Sequence, residues 1–198
     1  MENNKFSFDA DSHQYLIGDV PVDSVTQLMQ KFGIIDTRWY DIQSRIRGSY
    51  VHTATQYFDE NDLDIESLDD VVLPYVNAYV QFRRDLPSLE YIAIEKGLCD
   101  VNNKFAGTFD RLGKIGERIM LIDIKSGTMP KWVNIQLAGY KKLIIANNIE
   151  CPIEFYCLLL KNNGSYKFER VANVGENGMI EGEKTFNAIL QLNKYKKE

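Results

Sequence analysis

The sequence has few cysteines, no long apolar run and no excess of basic residues. Its three cysteines, Cys99, Cys151 and Cys157, include no C-x-x-C pair, which argues against a disulfide framework and against zinc or iron–sulfur binding. The longest apolar run, residues 155–160, is far too short to span a bilayer, and the N-terminal segment lacks the apolar core of a signal peptide. We therefore expect a cytoplasmic protein without a membrane segment. The abundance of Lys, Asn and Ile suggests a bacterial or phage genome.

The charge balance also argues against a protein that coats nucleic acid. The net charge is −5, whereas domains that coat nucleic acid by bulk electrostatics are usually basic. A protein that holds nucleic acid at a local site is not excluded, because a few Lys and Arg can guide a strand while the total charge remains negative. The sequence contains no internal repeat, no low-complexity tract and no Walker A segment, so it has no helicase motor of its own.

What remains is the composition of an ordinary globular protein. The chain has 198 residues, of which 44% are hydrophobic and 26% charged. This length is enough for one full core and short for two. We expect a single domain over residues 1–198.

Apolar spacing and turn signals predict helices in the first part of the chain. A short hairpin is expected within residues 5–22, followed by a helix that Ser24 caps. Residues 37–58 have helical spacing, either as one helix or as two helices broken at Gly48. A third helix is expected over residues 67–85.

The second part of the chain is rich in strands. Three strands are predicted within residues 91–126, then a helix over 132–147, a hairpin turning at Asn163-Gly164 and a final helix. This order predicts a mixed α/β fold with a central, mainly antiparallel sheet of about five strands flanked by helices.

The turn between the second and third strands predicted within residues 91–126 places two carboxylates together. A two-residue loop at Gly116-Glu117, with glycine first as a type II′ turn prefers, is the most economical connection. In that register Asp110 faces Asp123 with Cβ atoms about 5 Å apart, and Thr108 faces Lys125. Asp123 and Lys125 are two apart and leave the same face of the sheet.

This arrangement suggests a metal site. Like charges opposite one another in an apolar strand environment are destabilising, and Lys125 neutralises only one of the two aspartates. A hard divalent cation, magnesium or manganese, is the natural remaining partner. Such an ion would polarise a phosphate oxygen and lower the pKa of a bound water, while Lys125 positions that water or stabilises charge on the phosphorus. The alternative is that Asp110 and Asp123 are surface residues and Lys125 pairs with one of them.

Further motifs accompany this pair of strands. In chain order they are HQYLIGDVPVDSVT, RGSYVH ending at His52, Glu95, GTFD ending at Asp110, DIK at residues 123–125, and Gln136-x-x-x-Tyr140. In this set and order the sequence resembles the PD-(D/E)XK nuclease superfamily, in particular the RecB-like exonucleases, which include the mitochondrial genome-maintenance exonuclease and many phage enzymes. The resemblance covers most of the chain and implies a restriction-endonuclease-like core. Members that carry an iron–sulfur cluster need four cysteines, so no cluster is expected here.

The resemblance also implies roles for single residues. The metal ligands would be His52, Asp110, Asp123 and the backbone carbonyl of Ile124. The catalytic residues would be Lys125, Asp123, Asp110, Glu95, Gln136 and Tyr140. Gln136 and Tyr140 are one helical turn apart, and in the family this face helps to place the lysine or the DNA backbone. Taken singly, each has a simpler interpretation: His52, like His13, as an ordinary histidine, Gln136 as partly exposed, Tyr140 as core and Glu95 as facing solvent.

Basic and aromatic residues near these motifs are candidate DNA contacts. Arg47 and Lys131 flank the site in sequence, and Arg45 and Trp132 lie beside them. Trp39 and Tyr40 are further candidates for stacking on bases. The Lys141-Lys142 pair is interpreted as the solvated face of its helix.

These observations support two functions of different classes. The first is a magnesium- or manganese-dependent DNA nuclease, an exonuclease acting on single-stranded DNA or DNA ends in replication, recombination or repair, with a possible protein partner in those processes. The same chemistry would serve an endonuclease equally well. The alternative is a catalytically silent module that keeps the fold and binds DNA or a protein.

Overall fold

Eight strands form the central sheet of this computed structural model, which describes residues 6–9, 12, 14–36 and 41–195. They are β1 (Phe6–Asp9), β2 (Gln14–Ile17), β3 (Val20–Ser24), β4 (Glu90–Asp100), β5 (Phe105–Ile115), β6 (Arg118–Ser126), β7 (Glu154–Leu160) and β8 (Tyr166–Arg170). The strand order is β1-β2-β3-β5-β6-β7-β8, and β4 pairs with β5. Because β4 follows one edge of β5 from end to end, β3 and β6 share the other edge.

The predicted mixed α/β class and mainly antiparallel sheet are confirmed, but the expected number of about five strands is wrong. The pairs β3–β5 and β6–β7 are parallel, and the other strand pairs are antiparallel. The three additional strands, β1 to β3, form an antiparallel N-terminal meander, which joins the sheet where Asp23 pairs with Phe105 and Ser24 with Ala106. A local pattern of alternation predicts a hairpin but does not show which distant strand it will join.

Within the described residues, five α-helices cover the sheet. They are α1 (Val25–Lys31), α2 (Ile42–Asp59), α3 (Leu73–Asp85), α4 (Val133–Ala146) and α5 (Met179–Tyr195). α1, α4 and α5 pack on one face, and α2 and α3 pack on the other. Alternate residues of β6 enter the two cores: Leu121 packs on the α4 side, and Ile122 and Ile124 pack on the α2 side. Asp123 and Lys125 therefore continue the row of Leu121 on the face that α4 covers.

The capping signal at Ser24 is confirmed. Ser24 Oγ accepts from the backbone N–H of Gln27 at 3.1 Å, and Gln27 Oε1 accepts from the backbone N–H of Ser24 at 2.7 Å. This reciprocal pair satisfies two backbone donors at the start of α1. The predicted start of the third helix is wrong, because residues Ile65–Ser67 form a 3₁₀ turn and α3 begins at Leu73. Pro74 lies in its first turn, where a missing N–H costs no hydrogen bond.

Of the two alternatives predicted for residues 37–58, the single helix is observed over the described residues, since α2 has no break at Gly48. Gly48 faces the sheet, and a Cβ there would lie 3.7 Å from Ser126 Oγ. Trp39 and Tyr40, and likewise His13, lie outside the described residues. Among the helices of the described ranges, none has the length and apolar character needed to cross a bilayer.

Candidate metal centre

The site lies in a fork between β5 and β6. The fork is the place beyond Arg111 and Ile122 where these two strands no longer pair. The predicted register is confirmed near the turn, where Leu112 pairs with Leu121 and Gly116 has a φ of +60°. The ladder ends at Arg111 and Ile122, one step short of the predicted pairing of Asp110 with Asp123. Beyond this point β6 stays paired with β7, and Asp110 fills the fork. Its Oδ2 accepts a hydrogen bond from the backbone N–H of Ile124 at 2.6 Å.

The fork also separates Thr108 from its predicted partner Lys125. The Thr108 hydroxyl lies 2.9 Å from the hydroxyl of Tyr15 in β2. β3 takes over the edge of β5 at Phe105 and Ala106. Between its pairing with β3 at Ala106 and its pairing with β6 at Arg111, β5 has neither strand beside it on this edge, and the sheet opens toward the site here.

Three candidate metal ligands, one each from α2, β4 and β5, lie close together: His52, Glu95 and Asp110. His52 Nδ1, on α2, lies 3.5 Å from Asp110 Oδ1 and 3.4 Å from Glu95 Oε1. One ligand atom from each of these residues lies within 4.8 Å of the others. Glu95 stands opposite Asp110 in the β4–β5 ladder, between the pairs Ile94–Arg111 and Lys96–Phe109. The sequence placed Glu95 in the catalytic set, and the structure puts it among the possible ligands.

Glu95 has an unusual backbone. Its φ is +42°, in the left-handed region, which costs about 1 to 3 kcal/mol for a residue with a Cβ. The surrounding pairs of β4 hold this conformation in place. In this backbone conformation the carboxylate of Glu95 lies next to His52 and Asp110.

Asp123 and Lys125 form an ion pair next to this cluster. Lys125 Nζ lies 2.7 Å from Asp123 Oδ2. Both oxygens of Asp123 are buried, and neither receives a hydrogen bond of good geometry from the described residues. Lys125 is half-buried, and its ammonium lies 5.9 Å from the centre of the Trp132 ring.

The charges of this group perturb one another. Burial lowers the pKa of His52, but the carboxylates of Asp110 and Glu95 outweigh it and raise that pKa to about 9. Burial raises the pKa of Asp123, and the neighbouring Asp110 raises it further against the opposing effect of Lys125. Burial also raises the pKa of Asp110. The raised pKa values of both aspartates show that their negative charges are only partly compensated by the neighbouring Lys125 and His52.

A divalent metal ion fits these residues. The carboxylate donors suit magnesium and manganese, and the imidazole favours manganese over magnesium. Within the described part of the chain, the buried Asp123 Oδ1 has no hydrogen-bond donor and Oδ2 has the Lys125 ammonium beside it, which leaves the carboxylate able to accept a cation. His52, Glu95 and Asp110 would hold the ion, and Asp123 lies beside them. The Ile124 carbonyl remains a predicted ligand, next to the N–H that binds Asp110.

Gln136 and Tyr140 lie on the buried face of α4. Gln136 Nε2 donates to the hydroxyl of Tyr140 at 3.0 Å. Burial, together with the charges of Asp110 and Asp123, raises the pKa of Tyr140 well above its ordinary value, so this phenol stays protonated beside the carboxylates.

A cleft of about 1120 Å³ opens onto His52 and Glu95. Arg45, Trp132 and Tyr140 also line it. Two other predicted DNA contacts are not among the residues that line it. The guanidinium of Arg47 lies 5.3 Å from the centre of the Tyr75 ring and lines an adjoining groove, and Lys131 is exposed before α4.

Sequence reasoning missed Arg111 and Asp59. Arg111 is fully buried, and its guanidinium donates to Asp59 Oδ2 at 2.8 Å and to Glu95 Oε1 at 2.8 Å. The available signal was an arginine inside a strand with buried neighbours, since such a charge requires carboxylate partners. Because Arg111 directly follows Asp110, the GTFD motif points to the aspartate and not to the arginine.

Comparison with known proteins identifies a shared fold. No model of a known protein family matches the chain, and no curated protein matches it. A crystal structure of a protein from Eubacterium rectale named "Putative exonuclease" matches with a TM-score of 0.50 and 16% sequence identity. The match covers 89% of this chain and 76% of that one. At this level of identity the comparison shows a common fold.

Proposed function

We propose that this protein is a metal-dependent DNA nuclease of the RecB-like exonuclease type. The observation that carries the proposal is the convergence of His52, Glu95 and Asp110 next to the buried Asp123–Lys125 pair. Three carboxylates, an imidazole and an ammonium beside a cleft are groups suited to metal-assisted phosphodiester hydrolysis. The fold shared with the Eubacterium rectale protein, which is named as a possible exonuclease, supports the same conclusion.

The metal would be magnesium or manganese, held by His52, Glu95 and Asp110 with Asp123 beside them. When bound, it supplies Lewis acidity toward a phosphate oxygen and lowers the pKa of a water molecule. The chain contributes the fixed geometry. The backbone N–H of Ile124 orients the Asp110 carboxylate, and the strained backbone of Glu95 turns its side chain inward.

Lys125 would act on the phosphate itself. Burial lowers the pKa of its ammonium, but Asp123 and Asp110 outweigh that effect and raise the pKa, so Lys125 stays protonated. A protonated lysine at this place can donate to a phosphate oxygen and stabilise the charge that develops there. Trp132 covers the ammonium from one side and limits its movement.

The substrate would be single-stranded DNA or a free DNA end. The cleft is lined by aromatic rings, among them the exposed Phe8 and Tyr57 and the partly exposed Trp132, on which unpaired bases can stack. Arg45 supplies a positive charge at the cleft for the phosphate backbone.

Cleavage assays test the proposal. Single-stranded, duplex and circular DNA are incubated with Mg²⁺ or Mn²⁺, and products are resolved from end-labelled strands. The wild type should digest at least one substrate, and Lys125→Ala and Asp123→Ala should lose activity by about 100-fold or more. Glu117→Ala, at the exposed turn between β5 and β6, is the control and should remain active. Activity that survives both site substitutions contradicts the assignment.

A second function, a silent module that binds DNA or a protein, is favoured by one observation. Lys125 pairs with Asp123, and His52 lies within 3.5 Å of both Asp110 and Glu95, so the charges partly compensate one another without a cation. Titration calorimetry with Mn²⁺ separates the two functions. Binding that Asp110→Ala abolishes supports the nuclease, and no binding to the folded wild type supports the module.

A further inference from the structure

Arg111 links the three elements that carry His52, Glu95 and Asp110. Its Nη1 donates to Glu95 Oε1 on β4 at 2.8 Å and to the backbone carbonyl of Asp110 on β5 at 2.8 Å. Its Nε donates to Asp59 Oδ2 on α2 at 2.8 Å. Its Nη2 donates to Thr55 Oγ1, also on α2, at 3.2 Å. The arginine side chain has no exposed surface.

The contacts with α2 fall on the helical stripe that carries His52. His52, Thr55 and Asp59 are spaced by three and four residues, so they lie on one face of the helix. Thr55 Oγ1 donates to the backbone carbonyl of His52 at 3.0 Å and accepts from Arg111. Two hydrogen bonds through the Thr55 hydroxyl therefore connect the guanidinium to the backbone of His52.

Asp59 is held as firmly as Arg111. The Asp59 side chain is 2% exposed, and its Oδ2 also accepts from the Tyr79 hydroxyl on α3 at 2.6 Å. Arg83 Nε lies 3.4 Å from the other oxygen. A planar guanidinium with several fixed donors, bound to carboxylates that are themselves fixed, cannot move without breaking several buried hydrogen bonds.

We propose that Arg111 is a positioning residue, which sets the distance between the helix-borne ligand His52 and the strand-borne ligands Glu95 and Asp110. The inference rests on the proposed metal-dependent function. Arg111 does not touch the substrate in this scheme. It acts through Glu95, which it orients directly, and through Asp59 and Thr55, which fix α2 against the sheet.

The sign of the effect on metal affinity distinguishes positioning from simple electrostatics. Arg111→Met removes a positive charge 2.8 Å from a candidate ligand. If Arg111 contributed only its charge, the variant would bind a cation more tightly. Positioning predicts the opposite, a loss of about 10- to 100-fold in Mn²⁺ affinity, as is usual when a residue that orients ligands is removed. Arg111→Lys keeps the charge but loses the planar fork, so its Mn²⁺ affinity should also fall.

The experiment measures Mn²⁺ affinity by calorimetry, together with the crystal structures of the metal-free variants. Each variant is first checked for folding by circular dichroism and studied well below its melting temperature, and Arg111→Lys keeps the test available if Arg111→Met does not fold. Arg118→Met, on the same sheet but with a largely exposed side chain, is the control and should bind Mn²⁺ like the wild type. The structures should show the separation of His52 Nδ1 and Asp110 Oδ1 increased from 3.5 Å.

Two results separate the positioning role from the function on which it rests. Folded Arg111 variants that bind Mn²⁺ as tightly as the wild type, or that keep the wild-type separation of His52 and Asp110, overturn the positioning role. A folded wild type that binds no Mn²⁺ contradicts the proposed function instead. In that case the separation measured in the crystals still decides whether Arg111 positions His52.

Discussion

Asp110 and Ile124 are joined across the open end of the β5–β6 hairpin, where the Asp110 carboxylate accepts from the backbone N–H of Ile124 at 2.6 Å. This bond replaces the next rung of the β-ladder. It leaves one oxygen of Asp110 directed toward His52, which lies 3.5 Å away. The same carboxylate thus bridges the two strands at the fork and faces the candidate metal centre.

The two roles of Asp110 can be separated by substitution. Asp110→Asn keeps an oxygen that can accept from Ile124 but loses the charge, so it should fold normally and bind Mn²⁺ much more weakly than the wild type. Asp110→Ala also leaves a buried N–H without an acceptor, which should lower the free energy of unfolding by about 1 to 3 kcal/mol. Chemical denaturation and calorimetry measure the two effects. Equal stability of the two variants would show that the bond to Ile124 contributes nothing.

Lys125 should be needed for cleavage and not for metal binding. Lys125→Met removes the ammonium that lies 2.7 Å from Asp123 Oδ2 and leaves the carboxylates uncompensated. We expect Mn²⁺ to bind this variant at least as tightly as the wild type and to raise its melting temperature more, because the ion replaces the lost charge. DNA cleavage should fall by about 100-fold or more. Thermal melts with and without Mn²⁺ test the first part, and a weaker response than in the wild type would contradict it.

The left-handed backbone of Glu95 predicts an inverted order of stability. In a strand interior, alanine is usually more favourable than glycine by about 0.5 to 1 kcal/mol. At a φ of +42° glycine is relieved of strain and alanine is not, so Glu95→Gly should be more stable than Glu95→Ala. Both variants lose the same carboxylate, which makes them a matched pair. Urea denaturation compares them, and the usual order would mean that β4 relaxes at this position.

Two helical glycines should respond to alanine in opposite directions. At Gly48 a Cβ would make an ordinary contact, so Gly48→Ala should stabilise the protein by up to about 1 kcal/mol through helix propensity. At Gly139 a Cβ would lie 2.7 Å from Val25 Cγ1 and 2.9 Å from Phe186, between α1 and α5. Gly139→Ala should therefore destabilise by about 1 to 3 kcal/mol through overpacking. Thermal denaturation of both variants checks the signs, and a stabilising Gly139→Ala would mean that α4 packs more loosely than described.

Part of this protein could be predicted because the signal is local. The Gly116-Glu117 turn fixes the register of β5 and β6, and the period of two along a strand puts Asp123 and Lys125 on one face. The serine and glutamine at the start of α1 specify its first turn in the same way. Such features depend on residues a few positions apart, and so the sequence by itself determined them.

The tertiary structure decided the rest, because those features arise from contacts between distant parts of the chain. Beyond Ile122, β6 separates from β5 while it stays paired with β7 along its other edge, and this opens the fork and ends the ladder one step before Asp110. The packing of α2 on the sheet brings His52 to Glu95, 43 residues away in sequence. Arg111 finds its partner Asp59 at a separation of 52 residues. No local pattern records such pairings, since their stability comes from the buried surroundings that only the folded chain provides.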